Sequence, residues 1–121
     1  MDGRKKVLLV DDEKDVLDLF RDLFVSRGYD VECASSGIEA LEFISKTRID
    51  AVLLDVRMPI MDGIQTLASL RHKNPELAIV MFTAYGFDDN LVYKTRKLGA
   101  SGFISKHLPL TQIISTFTDS I

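Results

Sequence analysis

The chain has 121 residues, of which 46% are hydrophobic and 27% charged, and its formal net charge is −3. This length corresponds to one domain, and the composition is that of a globular chain rather than a disordered one. No apolar run approaches the roughly 20 residues that span a bilayer, and none near the start has the roughly 7–15 apolar residues of a signal peptide. The single cysteine favours a reducing, cytoplasmic setting, and the slight negative charge argues against direct nucleic-acid binding.

Five short apolar runs are predicted to be strands. They are Val7–Val10, Val31–Cys33, Ala51–Leu54, Ala78–Phe82 and Gly102–Ile104. The first, third and fourth are continuous, as in strands that are covered on both faces, whereas the second alternates as an edge strand does. Its Cys33 is expected to be a small buried residue.

The amphipathic segments between these runs are predicted to be helices. They begin at Lys14, Ser36, Asp62, Asp88 and near Pro109. Ser36 and Asp62 each precede a Glu or Gln by three residues, which is the spacing of a capping box. Gly28 and Gly99 are expected to end the first and fourth helices, and Pro109 is expected in the first turn of the fifth, where its missing N–H costs little.

Five strand–helix units in succession predict an α/β fold. We expect a five-stranded parallel sheet in the order 2-1-3-4-5, doubly wound with five helices, in one domain that takes up residues 1–121. Sheets of this kind hold their ligands at the carboxyl ends of the strands, near the point where the strand order reverses. The residues that end the strands are therefore the first candidates for a functional site.

Polar residues follow four of the five predicted strands. Asp11 and Asp12 follow the first, Asp55 the third, Thr83 the fourth and Lys106 the fifth. Three carboxylates at one sheet edge repel each other unless a cation compensates them, and oxygen-only ligands favour a hard ion such as Mg²⁺ or Mn²⁺. A hydroxyl and an ammonium group suit phosphoryl oxygens, so the pattern predicts a site for a metal ion and a phosphoryl group.

Each of these residues also has an ordinary structural interpretation. Asp12 could be the N-cap of the first helix, and Lys106 could be a solvated loop lysine. The joint pattern favours a functional site. If each residue were only structural, complementary polar groups would have come together by chance at the one edge where such sheets bind ligands.

The sequence resembles the receiver domains of bacterial two-component response regulators. The matching motifs are Val7–Glu13, Leu53–Pro59, Met61–Gly63, Thr83–Ala84, Leu98–Ala100, and Phe103 with Lys106. They occur in order over about residues 5–119. The chain looks most similar to stand-alone, single-domain receivers of phosphorelays, and this likeness implies a flavodoxin-like fold and a signalling switch rather than an enzyme.

The resemblance implies a role for each residue of the predicted site. Asp55 would accept a phosphoryl group from a phosphohistidine donor. Asp11, Asp12, Asp55 and the backbone carbonyl of Arg57 would hold Mg²⁺. Lys106 would stabilise the charge of the phosphoryl group during transfer.

The resemblance also implies a switch and partners. Thr83 would move to the new phosphoryl oxygen, Phe103 would turn inward, and the face formed by helix 4, strand 5 and helix 5 would change. The donor would be a histidine kinase or a histidine phosphotransferase, and the target a downstream protein or the next carrier of the phosphoryl group. No membrane contact is implied, and the chain would be a monomer or a phosphorylation-dependent dimer.

Three local features leave alternatives open. In the family, the residue after this lysine is usually a proline, and the peptide bond between them is cis. Here His107 follows Lys106. Since a cis non-proline bond costs about 2.5–4 kcal/mol, either the bond is trans or the surroundings impose the cis form. Arg57 and Tyr85 either shield the phosphoryl group from water or lie on the surface.

In the first helix, Val16 is expected to face the core. Leu17 and Leu19 lie at the edges of the apolar stripe of this helix. They either dock a helix bundle that carries phosphohistidine or pack peripherally.

Other functions fit the sequence less well. A small GTPase would need a G-x-x-x-x-G-K-[ST] loop after the first strand, and a flavodoxin would need a phosphate-binding loop there instead of acidic residues. A phosphatase of the haloacid dehalogenase type would need an Asp where Arg57 stands. The main remaining alternative is a pseudo-receiver that acts purely as a binding module.

Overall fold

The computed structural model describes residues 3–58, 61–84 and 88–121. The strands are β1 (Lys6–Val10), β2 (Asp30–Ala34), β3 (Ala51–Asp55), β4 (Ala78–Thr83) and β5 (Gly102–Ser105). The helices are α1 (Lys14–Ser26), α2 (Gly37–Lys46), α3 (Gly63–Lys73), α4 (Asp89–Lys97) and α5 (Leu110–Ser120). Strands and helices alternate from β1 to α5, as the sequence predicts.

All strand pairs are parallel, and the sheet order is β2-β1-β3-β4-β5. This confirms the predicted fold class and topology. The order reverses beside β1, so the carboxyl ends of β1 and β3 are neighbours, with Val10 opposite Leu54. The residues that follow these two strands therefore lie side by side.

The helices cover both faces of the sheet and form two hydrophobic cores. On one face α2 and α3 pack against side chains of β1, β3 and β4, and Leu67 and Leu70 are fully buried. On the other face α1 and α5 meet through Phe24 and Phe117, whose ring centroids are 5.0 Å apart in an edge-to-face arrangement. Burial on both faces explains the continuous apolar runs of the inner strands.

Local signals begin and end most helices where the sequence predicts. The Ser36 hydroxyl accepts the Glu39 N–H at 3.1 Å, and the Asp62 carboxylate accepts the Gln65 N–H at 2.9 Å, so both caps form. Gly28 and Gly99 follow α1 and α4 with φ of 92° and 102°, which is the left-handed conformation that glycine adopts without strain.

Three predictions about local placement differ from the structure. Pro109 is the N-cap of α5 and not part of its first turn. Leu17 is buried at 8% exposure, whereas Val16 is only partly buried, because the sheet meets α1 on the Leu17 side of its apolar stripe. Cys33 is a free, half-buried thiol, since β2 is an edge strand.

Arg71 links the ends of α3 and α4 through hydrogen bonds at the amino edge of the sheet. Its guanidinium donates to the carbonyl of Gly99 from Nε at 3.1 Å and from Nη2 at 2.6 Å. Its Nη1 donates to the carbonyls of Asn74 and Pro75 at 3.2 and 2.9 Å. One side chain thus satisfies carbonyl groups that follow two different helices.

Basic residues are concentrated at this same edge. The last turn of α3 contains Arg71, His72 and Lys73, and the last turn of α4 contains Lys94, Arg96 and Lys97. The N-caps of both helices are aspartates, at the opposite edge. Both arrangements complement the helix dipole.

Candidate functional site

Three carboxylates meet at the carboxyl edge of the sheet. Asp11 directly follows β1, Asp12 is the next residue, and Asp55 ends β3. One oxygen of each carboxylate lies within 4.8 Å of the others. Asp11 and Asp55 are buried at 3% and 5% exposure, while Asp12 is exposed. The predicted convergence of these residues follows from the pairing of β1 with β3.

Lys106 supplies the cation that faces the buried carboxylates. It follows β5, and its Nζ lies 2.7 Å from Oδ2 of Asp11 and 3.4 Å from Oδ1 of Asp55. The ammonium also lies 5.2 Å from the ring centroid of Phe82. Burial lowers the pKa of Lys106, but the hydrogen bond and charge of Asp11, followed by the charge of Asp55, outweigh burial and raise it overall. Lys106 is therefore a charged, largely buried partner of the acidic cluster.

The peptide bond between Lys106 and His107 is trans, as are all peptide bonds among the described residues. The Lys106 N–H donates to the carbonyl of Thr83 at 2.6 Å. This bond to the end of β4 directs the lysine into the site.

The electrostatic environment of Asp55 differs from that of an ordinary aspartate. Burial raises its pKa, the charge of Asp11 raises it further, and Lys106 and the N–H of Arg57 lower it in part. The pKa of Asp55 is raised as a result from 3.8 to about 6. The charged form of this carboxylate is thus less stable than that of an ordinary aspartate, and shifted pKa values of this kind are common at reactive sites.

The structure also describes three further predicted residues. Thr83 ends β4 and is buried, and Phe103 in β5 is half-buried against the core that α2 and α3 cover. Arg57 is exposed, and its N–H donates to Oδ1 of Asp55 at 3.3 Å. Tyr85, the second predicted shield, lies outside the described residues. The roles assigned to these side chains stay predictions.

The oxygen ligands fit a hard divalent cation. Asp11, Asp12 and Asp55 offer one oxygen each within a space that a single ion can bridge, and Lys106 compensates only part of their charge. Clusters that consist of carboxylates without histidine or thiolate suit Mg²⁺ or Mn²⁺ better than zinc or copper. The residues present therefore agree with the predicted metal site.

Two neighbours of the site were not predicted from the sequence. Phe82 provides the apolar surface beside Lys106, and its position next to the last residue of β4, near the same edge, is the signal that could have indicated it. Gly63 packs against the backbone of Asp55 and Val56. The Met61–Gly63 motif contains that glycine, but the sequence indicated only that a helix starts there.

The comparisons with known proteins all lead to one family. A sequence profile described as "Response regulator receiver domain" matches residues 7–118. The chain is 33% identical to the sporulation initiation phosphotransferase F of Bacillus subtilis over 109 residues, which cover 90% of this chain and 87% of that protein. Other curated relatives, at 32–35% identity, are longer, and the chain matches 24–48% of their length.

Solved structures show the same likeness. The structure of chemotaxis protein CheY4 of Vibrio cholerae is 27% identical, with a TM-score of 0.92 and coverage of 98% of this chain and 100% of that one. A CheY chain in the CheX–CheY–BeF₃–Mg²⁺ complex of Borrelia burgdorferi is 30% identical, with a TM-score of 0.88 and coverage of 95% and 87%. Similarity at this coverage extends to the whole fold and to every strand that borders the acidic cluster.

Proposed function

The chain belongs to the family of response regulator receiver domains, which serve signal transduction in two-component systems, and we propose that it is a phosphorylation-dependent switch with Asp55 as the phosphoacceptor. The observation that carries this proposal is the position of Asp55, buried at the end of β3 with two carboxylates within 4.8 Å and an ammonium at 3.4 Å. The family match over residues 7–118 supports a single receiver domain for residues 1–121.

The proposed reaction is transfer from a phosphohistidine donor. A carboxylate oxygen of Asp55 attacks phosphorus, the P–N bond breaks, and the imidazole leaves and takes up a proton from water. Lys106 stays charged and stabilises the negative charge on the phosphoryl oxygens. The Thr83 hydroxyl donates a hydrogen bond to one of those oxygens in the product.

The proposed metal is Mg²⁺, with Mn²⁺ as a substitute. Asp11, Asp12, Asp55 and the carbonyl of Arg57 would hold it, and when bound it would neutralise charge on the transferring group. Without it, three carboxylates and Lys106 leave an excess of negative charge that would repel a phosphoryl donor. We therefore expect phosphorylation to require the divalent ion.

The proposed output is a change in the face formed by α4, β5 and α5. Thr83 lies at the end of β4, opposite Ser105 of β5, so a movement of its hydroxyl is directly beside that face. Tyr93 of α4, at 62% exposure, and Leu110 of α5, at 42%, are large apolar groups that a downstream protein could cover. The likeness to a protein named as a phosphotransferase supports onward phosphoryl transfer as a second output.

We propose the cytoplasm as the location and a histidine kinase or histidine phosphotransferase as the donor. The unpaired thiol of Cys33 supports a reducing compartment. Within the described parts of the chain, every helix is too short or too polar to cross a bilayer. We also propose that the domain acts through protein contact and not on a metabolite or on nucleic acid.

The test is phosphorylation by acetyl phosphate with Mg²⁺, followed by intact mass. We expect the wild type to gain one phosphoryl group, Asp55→Asn to gain none, and chelation of Mg²⁺ to prevent the gain. Asp62→Asn is the matched control, because it replaces a nearby aspartate while keeping a helix N-cap. If neither acetyl phosphate nor a phosphohistidine protein phosphorylates the wild type, the chain is a binding module and the proposal is wrong.

A further inference from the structure

Gly63 is in contact with the backbone of the proposed phosphoacceptor. It is the first residue of α3 and is buried. A Cβ at this position would lie 2.1 Å from the carbonyl oxygen of Asp55 and 2.7 Å from Cα of Val56. Both are backbone atoms, so rotation of a side chain cannot relieve the overlap. Only glycine lets α3 begin this close to β3 without displacing it.

Hydrogen bonds to both β4 and α3 also fix the Asp55–Val56 peptide. The N–H of Val56 donates to the carbonyl of Phe82 in β4 at 3.0 Å, and the N–H of Gly63 donates to the carbonyl of Val56 at 2.9 Å. The N–H of Arg57 donates to the carboxylate of Asp55 at 3.3 Å. The peptide is therefore held between β4 and α3, and any shift at Gly63 reaches the Asp55 carboxylate and the Arg57 backbone.

We propose that Gly63 is a positioning residue, whose missing side chain sets the location of the Asp55 carboxylate and the Arg57 carbonyl. This inference rests on the proposed function, since those two groups are the proposed acceptor and metal ligand. Mg²⁺ requires near-ideal octahedral geometry, and a displacement of about 1 Å at a reacting group can cost about 100-fold in rate. A methyl group at residue 63 therefore affects ion binding and phosphorylation as well as packing.

Gly37 offers a matched control. It is the first residue of α2, is buried, and follows a side-chain N-cap as Gly63 does. A Cβ there would lie 2.2 Å from Oγ1 of Thr66 and 3.1 Å from Sδ of Met61. Both are side-chain atoms, and neither belongs to the Asp55–Val56 peptide. Gly37→Ala thus disturbs the packing of α2 on α3 without touching the Asp55 peptide.

The experiment compares Gly63→Ala and Gly37→Ala with the wild type. Thermal melting gives the stability of each, calorimetric titration gives the Mg²⁺ dissociation constant, and acetyl phosphate gives the phosphorylation rate. We expect Gly63→Ala to weaken Mg²⁺ binding by about 10-fold and phosphorylation by about 10- to 100-fold. Gly37→Ala should change both by less than about threefold at a comparable loss of melting temperature. Equal losses in both variants, or normal Mg²⁺ binding in folded Gly63→Ala, would overturn the proposal.

A wild-type measurement tests the same coupling without a variant. If the packing of Gly63 sets the affinity for Mg²⁺, then Mg²⁺ must stabilise that packing in return. We expect saturating Mg²⁺ to slow hydrogen exchange of the Gly63 amide, but not that of the Ala40 amide of α2, which donates to the carbonyl of Ser36. No slowing at Gly63 would overturn the inference. A wild type that neither binds Mg²⁺ nor is phosphorylated would instead refute the proposed function.

Discussion

Lys106 lies closer to Asp11 than to Asp55, with N–O distances of 2.7 and 3.4 Å. The side chains of all three residues are largely shielded from water, the lysine being 14% exposed. Removing a single partner from such a buried arrangement costs much more than removing one from a surface pair, because the remaining charges lose their compensation. This one ammonium thus faces two buried carboxylates and offsets part of their charge.

Lys106→Met is expected to lower the free energy of unfolding by about 2–4 kcal/mol at pH 7 without Mg²⁺. The loss should be smaller at pH 5, where a proton on Asp55 removes one of the two charges. Urea unfolding at both pH values measures this. The control is Lys6→Met, which removes a more exposed pair with Asp30 at 3.8 Å and should cost less than about 1 kcal/mol. Equal losses for the two variants would contradict the prediction.

The stability of the metal-free protein is expected to fall between about pH 4 and pH 6 because of Asp55. Its pKa is about 6 in the folded protein against an ordinary 3.8, so in this range the folded state binds more protons than the unfolded state. Stability then decreases as pH rises, by about 2–3 kcal/mol in total. Asp55→Asn should remove this decrease and be more stable than the wild type at pH 7.

Urea unfolding from pH 4 to pH 7, without Mg²⁺, measures that difference. Asp22→Asn replaces an exposed aspartate of α1 and should keep the wild-type slope. Adding Mg²⁺ at pH 7 should stabilise the wild type and have little effect on Asp55→Asn, since binding to the folded state alone raises its stability. A wild-type slope in Asp55→Asn would show that other groups cause the decrease.

Leu17→Ala and Leu19→Ala, on the buried and the exposed face of α1, are expected to lower the free energy of unfolding by different amounts. Leu17 is 8% exposed and Leu19 is 50% exposed, so we expect losses of about 2–4 kcal/mol for the first and under about 1 kcal/mol for the second. Chemical denaturation measures both. If Leu19 docks the donor, Leu19→Ala should also slow transfer from a phosphohistidine protein while leaving acetyl phosphate reactivity intact. Equal slowing with both donors would argue against docking.

Arg57→Ala is expected to shorten the lifetime of phosphorylated Asp55. Arg57 is exposed and two residues beyond the acceptor, so its long side chain can cover a route by which water reaches the phosphoryl group. We expect decay that is faster by about three- to tenfold, which corresponds to roughly 0.7–1.4 kcal/mol of barrier. Phosphorylated protein is freed of acetyl phosphate and followed by intact mass, with Arg48→Ala, a distant exposed arginine, as control. Unchanged decay would mean that Arg57 is only a surface residue.

Arg71→Met is expected to destabilise the protein by about 1–3 kcal/mol, since it leaves carbonyl groups after α3 and α4 without their charged donor. Phosphorylation by acetyl phosphate should stay within about twofold of wild type, because Arg71 lies at the edge opposite the acidic cluster. Lys73→Met, at an exposed position of the same helix end, should cost less than about 0.5 kcal/mol. A loss of activity at full stability would reveal long-range coupling that packing does not predict.

Features that depend on a few neighbouring residues were predictable from the sequence. The Ser36 and Asp62 caps form because the side-chain oxygen of an N-cap residue reaches the N–H three residues later at the start of a helix. The acidic cluster was predictable as well, because parallel strands bring Asp11 and Asp55 to one edge. Strand ends were less certain: β2 begins at Asp30 and β4 extends to Thr83, each beyond its apolar run.

Features that depend on how distant segments pack could not be read in this way. Val16 and Leu17 are neighbours on one apolar stripe, and only the position of the sheet decides that Leu17 is the buried one. The contact of Gly63 with the Asp55 peptide depends on the path of the loop that connects β3 to α3.

The placement of charge along α3 and α4 makes the molecule an electric dipole, although its net charge is only −3. Aspartates begin both helices beside the acidic cluster, and basic residues end them. The electric field therefore orients an approaching charged partner before contact, within about 8 Å of the surface at physiological ionic strength. A phosphoryl group on Asp55 would carry between about 1.5 and 2 negative charges in place of the single charge of the carboxylate, and so add up to about one negative charge at the end that is already negative. Phosphorylation would then strengthen the torque on charged partners, and association rates should depend more steeply on salt.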